Sequence, residues 1–376
     1  MRIRRHGVLP VVVGLLLGVL SGCGGAEGAA GSDAVKGPLV PDKLVEQAKA
    51  NPLQPYPSQK GKLPEVRVAR SVPALSFAAL DLAVAMNFFE YNGVKVKFTE
   101  LEAGSTALQG LLGGSIDLVD SASVEMAAST DQGADVIALE NTSMMTMQIC
   151  VRKDWAAKKG VDETSDIKDR VRALKGAKIA ISGPGSASDR NMRWLLKTYG
   201  GLNPDKDVDI LQVGGAPAMS GALDENQVQA FMLSAPNCAQ SKDGMVLIQP
   251  QEVPQFANYI HEVLYGSRDW VEENAGTATR VATAVAMGNN FLLTHTDEAI
   301  KLLQKQYSKV DPEVIANAVK DSIIPNVKKH GLMDASMWKN TNKVLTEAGF
   351  IKEPLDVGEG QIWTNKYIRK GEAVVH

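Results

Sequence analysis

Histidine and cysteine are scarce in this 376-residue chain: five histidines, none in an H-x-x-x-H pair, and three cysteines without metal-ligand spacing. That excludes the usual zinc-hydrolase and zinc-ribbon signatures, and no metal or cofactor is expected. A basic excess is missing as well. Lys plus Arg number 40 against 43 acidic residues, a formal net charge of −3, which disfavours a nucleic-acid partner. Beyond the N-terminus no segment is long and apolar enough to span a bilayer, which takes about 20 residues, and no short fixed-period repeat occurs. The stretch SGPGSASDR (182–190) follows the apolar run KIAI (178–181) but has no Lys for a triphosphate loop. Ser188 stands where the third glycine of a dinucleotide fingerprint belongs. Nucleotide binding therefore loses its two commonest motifs.

The N-terminus carries the most specific signal. Arg2, Arg4 and Arg5 precede an apolar run at 8–20 and the tetrapeptide Leu20-Ser21-Gly22-Cys23, the basic, hydrophobic and cleavage regions of an export signal. Leu-Ser-Gly-Cys resembles a bacterial lipobox. The resemblance implies a signal peptide at 1–22, lipid attachment to Cys23 and a protein held at the extracytoplasmic face of a cell membrane. Losing three arginines with that signal leaves 37 basic against 43 acidic residues, a net charge of −6. Export also places Cys150 and Cys238 where disulfides form; they either pair with each other or remain two buried thiols.

Residues 23–64, rich in Gly, Ala, Pro, Lys and Gln, read as a flexible spacer with one short helical stretch at 42–50. After it, apolar runs alternate with amphipathic segments: VRVAR (66–70), KVKFTEL (95–101), DLVD (117–120) and VIALE (136–140), with helices at 78–87 and 106–112. The rhythm repeats in MQICVRKD (147–154), KIAI, VDILQV (208–213), VQAFML (228–233) and MVLI (245–248); from about 272 the chain turns helical. Such alternation predicts an α/β chain of mostly parallel sheets, and the length predicts two lobes: 65–150 with 263–376, and 151–262.

The segment SVPALSFAALDLAVAMNFFEYNGVKVKFTELEAGSTALQGLLGGSIDLVDSASVEMAA (71–128) resembles the opening lobe of solute-binding proteins of ABC importers of the nitrate, sulfonate and taurine-binding type. The features carrying the resemblance are an extended turn at 71–77, Phe88-Phe89 before Gly93, the Ala103-Gly104-Ser105-Thr106 turn, and Gly114-Ser115-Ile116-Asp117 before Ser121-Ala122-Ser123. CVRKDW, LKGAKIAISGPGSAS, ENQVQAFMLSAP, EVLYGSRDWVEENAG and TDEAIKLLQKQY continue it in order to about residue 349.

The resemblance implies a type II periplasmic-binding-protein fold closing on a small solute between lobes, without enzymatic activity, working as a monomer beside a membrane permease and its ATPase. It places Ser71, Phe77, Ser105, Thr106, Ser121 and Ser123 at the ligand from the first lobe. From the second it places Gly185, Ser186, Ala187, Ser188 and Asp189, with Ser234, Asn237 and Tyr265 completing the set. Hydroxyls and free N–H groups at the helix start would bind a polar head, with Phe77 and Tyr265 over an apolar body. A small organic anion, a sulfonate or carboxylate, is the expected solute. Asp189 leaves an alternative open: it either complements the helix dipole or faces the cleft, where it would repel an anion and favour an amine-bearing or pyrimidine-like solute. Two other classes compete. A same-fold enzyme would need Cys150 or Cys238 as an activated nucleophile, and a solute sensor would use the same cleft without import.

Overall fold

The computed structural model describes residues 37–50 and 54–376, so the signal peptide and Cys23 lie outside the described residues. Ten strands form two five-stranded sheets. The first contains β1 (Glu65–Arg70), β2 (Lys95–Glu100), β3 (Leu118–Ala122), β4 (Val136–Met144) and β10 (Ile260–Ser267), ordered β2-β1-β3-β10-β4. The second contains β5 (Met147–Arg152), β6 (Lys178–Ile181), β7 (Asp209–Gln212), β8 (Ala230–Ser234) and β9 (Gly244–Ile248), ordered β7-β6-β8-β5-β9. In each sheet β1 or β6 pairs in parallel with both neighbours, and the strand arriving from the other lobe, β10 or β5, runs against its neighbours. This is the two-lobed α/β architecture that the alternation of apolar runs predicts. The chain crosses between lobes at 145–146 and 249–259, where the Met145 N–H donates to the Tyr259 carbonyl (3.1 Å). The first crossing thus comes four to five residues before the break placed at 150, and the second ends three residues before the one placed at 262.

The described residues bury three apolar clusters, two against the first sheet and one centred on the second. In the first lobe the helices Ala78–Ala85 and Ala275–Thr294 pack across each other with Leu80, Leu82, Val285 and Phe291 inside. A Cβ at Gly288 would lie 2.0 Å from the Ala79 carbonyl oxygen, so only glycine lets these helices approach so closely. In the second lobe Ile149, Ile179, Trp194 and Phe231 form the centre. Cys150 and Cys238 are joined in a disulfide with Cα atoms 5.4 Å apart, which selects one of the two readings left open above.

Two regions depart from the sequence reading. The described part of the 23–64 spacer is not loose: Leu39 and Tyr56 are buried in the first-lobe core, and the Tyr56 ring stands edge-on to Phe88 (5.0 Å) and Tyr91 (4.7 Å). These residues lack the regular spacing that betrays a buried face. Residues 335–351, placed with the first lobe, also serve the second. Along the helix Ala335–Ala348, Met337 and Trp338 pack in the first lobe while Val344, Leu345 and Ala348 join the second-lobe core. Among the described residues no helix is long and apolar enough to cross a membrane.

Candidate ligand-binding cleft

Where the carboxyl ends of β1, β3, β6 and β8 face one another, both lobes line a small cavity of about 30 Å³, room for one or two waters. Ser71, Ser76, Glu125, His261 and Glu262 come from the first lobe; Ser182, Ala187, Ser188 and Ser234 come from the second, with Met147 and Leu233 as apolar wall. Of the residues expected at a ligand, Ser71, Ala187, Ser188 and Ser234 meet here.

The helix start expected to hold an anion already faces a carboxyl of the chain itself. Ser186 caps the helix Ala187–Thr198, and the Ala187 N–H donates across the cleft to Glu125 Oε1 (2.8 Å). The other carboxylate oxygen accepts the Ser121 hydroxyl. A Cβ on Gly104, at the start of the helix Gly104–Leu112, would fall 1.9 Å from that same oxygen. Two helix N-termini thus converge on one buried carboxyl, an arrangement that favours negative charge. Burial outweighs it, and the Glu125 carboxyl titrates at about 7.

Glu262 and His261 complete the polar floor. Glu262 Oε1 accepts from the Ser76 hydroxyl (3.2 Å), while Oε2 and both imidazole nitrogens of His261 have no protein partner. Burial raises the Glu262 carboxyl well above the carboxylate range and lowers His261 to about 3, so the imidazole is neutral. Behind them Asp120 accepts from Thr142 (2.7 Å) and is pushed by burial to about 7. No Lys or Arg lines the cavity among the described residues.

The remaining expected site residues sit elsewhere. Phe77 is fully buried, and Tyr265 belongs to a first-lobe cluster with Val119 and Ala138, so neither aromatic covers the cavity. Ser123 donates to the Ile260 carbonyl (2.6 Å), and Ser121 and Ser186 stand one hydrogen bond behind the lining. Ser105 is half-buried opposite Gly183, and Thr106 is exposed. Gly185 takes a positive φ of 75° and its N–H donates to Asp189 (2.8 Å). Asp189 also accepts from Arg193, so it serves its own helix and does not line the cavity. Arg190 donates to the Gly185 carbonyl (2.8 Å) and stacks on Phe350 (4.9 Å), and it does not line the cavity. Asn237 lines a separate recess of about 290 Å³ with Pro73 and Tyr307. The Asp of G-x-x-D, Asp117, is structural: it accepts from the Arg67 backbone N–H (2.8 Å) and its Nε (3.0 Å).

Sequence reasoning placed none of His261, Glu262 and Glu125 at the ligand. Glu125 had a readable signal, an acid in the first turn after a small-residue loop; a lone His in an apolar strand has none.

Two sheets linked by two crossings, with a polar cavity between their carboxyl ends, define a two-lobed fold of the periplasmic-binding-protein type. The match of residues 61–304 to the NMT1-like family model shows that the chain belongs to that family. No curated protein matches it. Solved structures share the fold. A Bordetella bronchiseptica RB50 protein is 23% identical over 84% of this chain and 98% of its own, with a TM-score of 0.70. The periplasmic nitrate-binding protein of Synechocystis PCC 6803 is 17% identical over 78% of this chain and 83% of its own (TM-score 0.62). The periplasmic aliphatic sulphonate binding protein of Escherichia coli is 20% identical over 81% and 99% (TM-score 0.59).

Proposed function

We propose that this chain is the extracytoplasmic solute-binding component of an ABC import system, tethered through Cys23, and that its solute carries a positively charged, amine-type head. The importer role rests on the shared fold, since the nitrate- and sulphonate-binding neighbours are periplasmic binding proteins, and on the export signal. The charge of the solute rests on one observation: the lining presents the carboxyls of Glu125 and Glu262 and no cationic side chain. An organic anion would have to displace Glu125 from Ala187 and lie beside Glu262, so the expectation of a sulfonate or carboxylate gives way to the amine-bearing alternative. A cation restores the ionised state that burial disfavours, and that gain is a source of differential affinity for the closed form.

The cavity is too small for most metabolites as it stands, so loading requires the lobes to part about their crossings. A carrier reading is favoured over an enzyme because the two thiols available as nucleophiles are tied to each other. Thermal-shift and calorimetric screening of matched amines, sulfonates and carboxylates tests the charge; stabilisation by anions alone would overturn it. Loss of solute uptake on gene deletion tests import, and unchanged uptake would point to a sensor.

A further inference from the structure

The floor of the cavity breaks a rule of strand geometry. Consecutive residues of a regular strand point to opposite faces, yet His261 and Glu262 both line the cavity. The reason is a bulge. Ile260 pairs with Met144, and Glu262 with Ser143 and Ala122, while His261 has no partner on either neighbouring strand. The register shifts on both sides of Glu262, and such irregularities re-aim side chains. His261 Nε2 thereby comes to 3.5 Å from Glu262 Oε1. His261 is 1% exposed with neither nitrogen partnered, and Glu262 is 4% exposed with Oε2 unpartnered.

Resting on the cation reading above, we propose that this bulged His261–Glu262 step recognises N–H donors. It makes the solute a primary ammonium or amidinium-type cation and refuses quaternary ammonium compounds. A neutral imidazole offers one lone pair, a carboxylate offers more, and buried acceptors left unmade are costly. A primary ammonium has three N–H groups to give, enough for His261, Glu262 and the Ser76 hydroxyl beside them. A trimethylammonium group has none, and it is normally held by aromatic faces. The described lining contains no Phe, Tyr or Trp.

The test is a calorimetric series on the purified full chain with n-butylamine and its N-methyl, N,N-dimethyl and N,N,N-trimethyl derivatives, beside butyrate and butanesulfonate. Affinity should fall at each methylation, with the trimethyl compound roughly 100-fold weaker or worse than the primary amine, because a site built for hydrogen bonds rejects analogues lacking them. In His261→Leu that ratio should shrink to within about tenfold, whereas His261→Gln, which keeps an acceptor, should retain part of it. If the four cations bind alike, or if His261→Leu keeps the full preference, the inference falls while the cation reading stands. Binding of the anions only, or of no probe, removes both. Should His261→Leu fail to fold, the unmodified series and His261→Gln still decide.

Discussion

The two lobes share one strand order but furnish the cavity differently. The first supplies every ionisable lining group, Glu125, His261 and Glu262, and holds a second buried pair, Arg70 with Asp81, behind them. The second supplies serine hydroxyls and a helix start, and it is cross-linked by Cys150–Cys238 over a separation of 88 residues. One half therefore carries the cavity's ionisable side chains while the other offers a neutral, covalently braced wall.

Four measurements break or sharpen this contrast. The largest effect should come from the brace. Cys150→Ser with Cys238→Ser should lower unfolding stability by about 4 to 5 kcal/mol in the chain-entropy model, read by chemical denaturation, and should melt the second lobe first. A loss under about 1 kcal/mol would mean that the hydrophobic core alone holds that lobe. Next, Glu262→Gln should weaken amine binding by roughly 100- to 1,000-fold, the scale for removing one member of a buried charge pair. Ser188→Ala across the cleft should cost no more than about tenfold, as for one neutral hydrogen bond. Equal losses would erase the asymmetry.

The third measurement is of pH. Asp120 and Glu125 titrate near 7 in the fold against ordinary values of 3.8 and 4.5. Groups raised in this way contribute stability that is complete below the ordinary values and is lost as pH rises through 7. The solute-free protein should therefore lose up to about 3 kcal/mol through Glu125 and about 4 kcal/mol through Asp120 across that window. Glu125→Gln should flatten the fall, so that variant and parent diverge as pH climbs from 4.5 to 7. Parallel profiles would show that Glu125 is ionised throughout. The smallest effect belongs to Asp189→Asn, about 0.5 to 1 kcal/mol of stability with the preference among solutes unchanged, because that carboxylate serves its own helix.

The fold was legible because nearly every strand announces itself as an apolar run between turn residues, from VRVAR to MVLI. Part of the cleft was legible for the same reason: Ser71 and Ser234 lie at strand ends, and Ala187 and Ser188 open the helix that follows β6. The charge of the cleft was hidden. The alternation of a strand puts His261 and Glu262 on opposite faces, and only the bulge, set by pairing with β3 and β4, brings them together. Glu125 reaches a backbone N–H that is 62 residues away in sequence, a distance at which local pattern says nothing. Phe77 and Tyr265 were read as ligand covers, but aromatic residues beside a cleft pack inward when the core has room.

The helix Ala335–Ala348 gives the clamp a third mechanical link. It begins against first-lobe side chains and ends under the second lobe, where the Trp194 indole donates to Glu347 (3.2 Å) and Lys197 reaches the Ala348 carbonyl (3.4 Å). If the lobes part as proposed, they must drag this helix or slide along it. A parting of the lobes would therefore be limited by the hold that this one helix keeps on both cores.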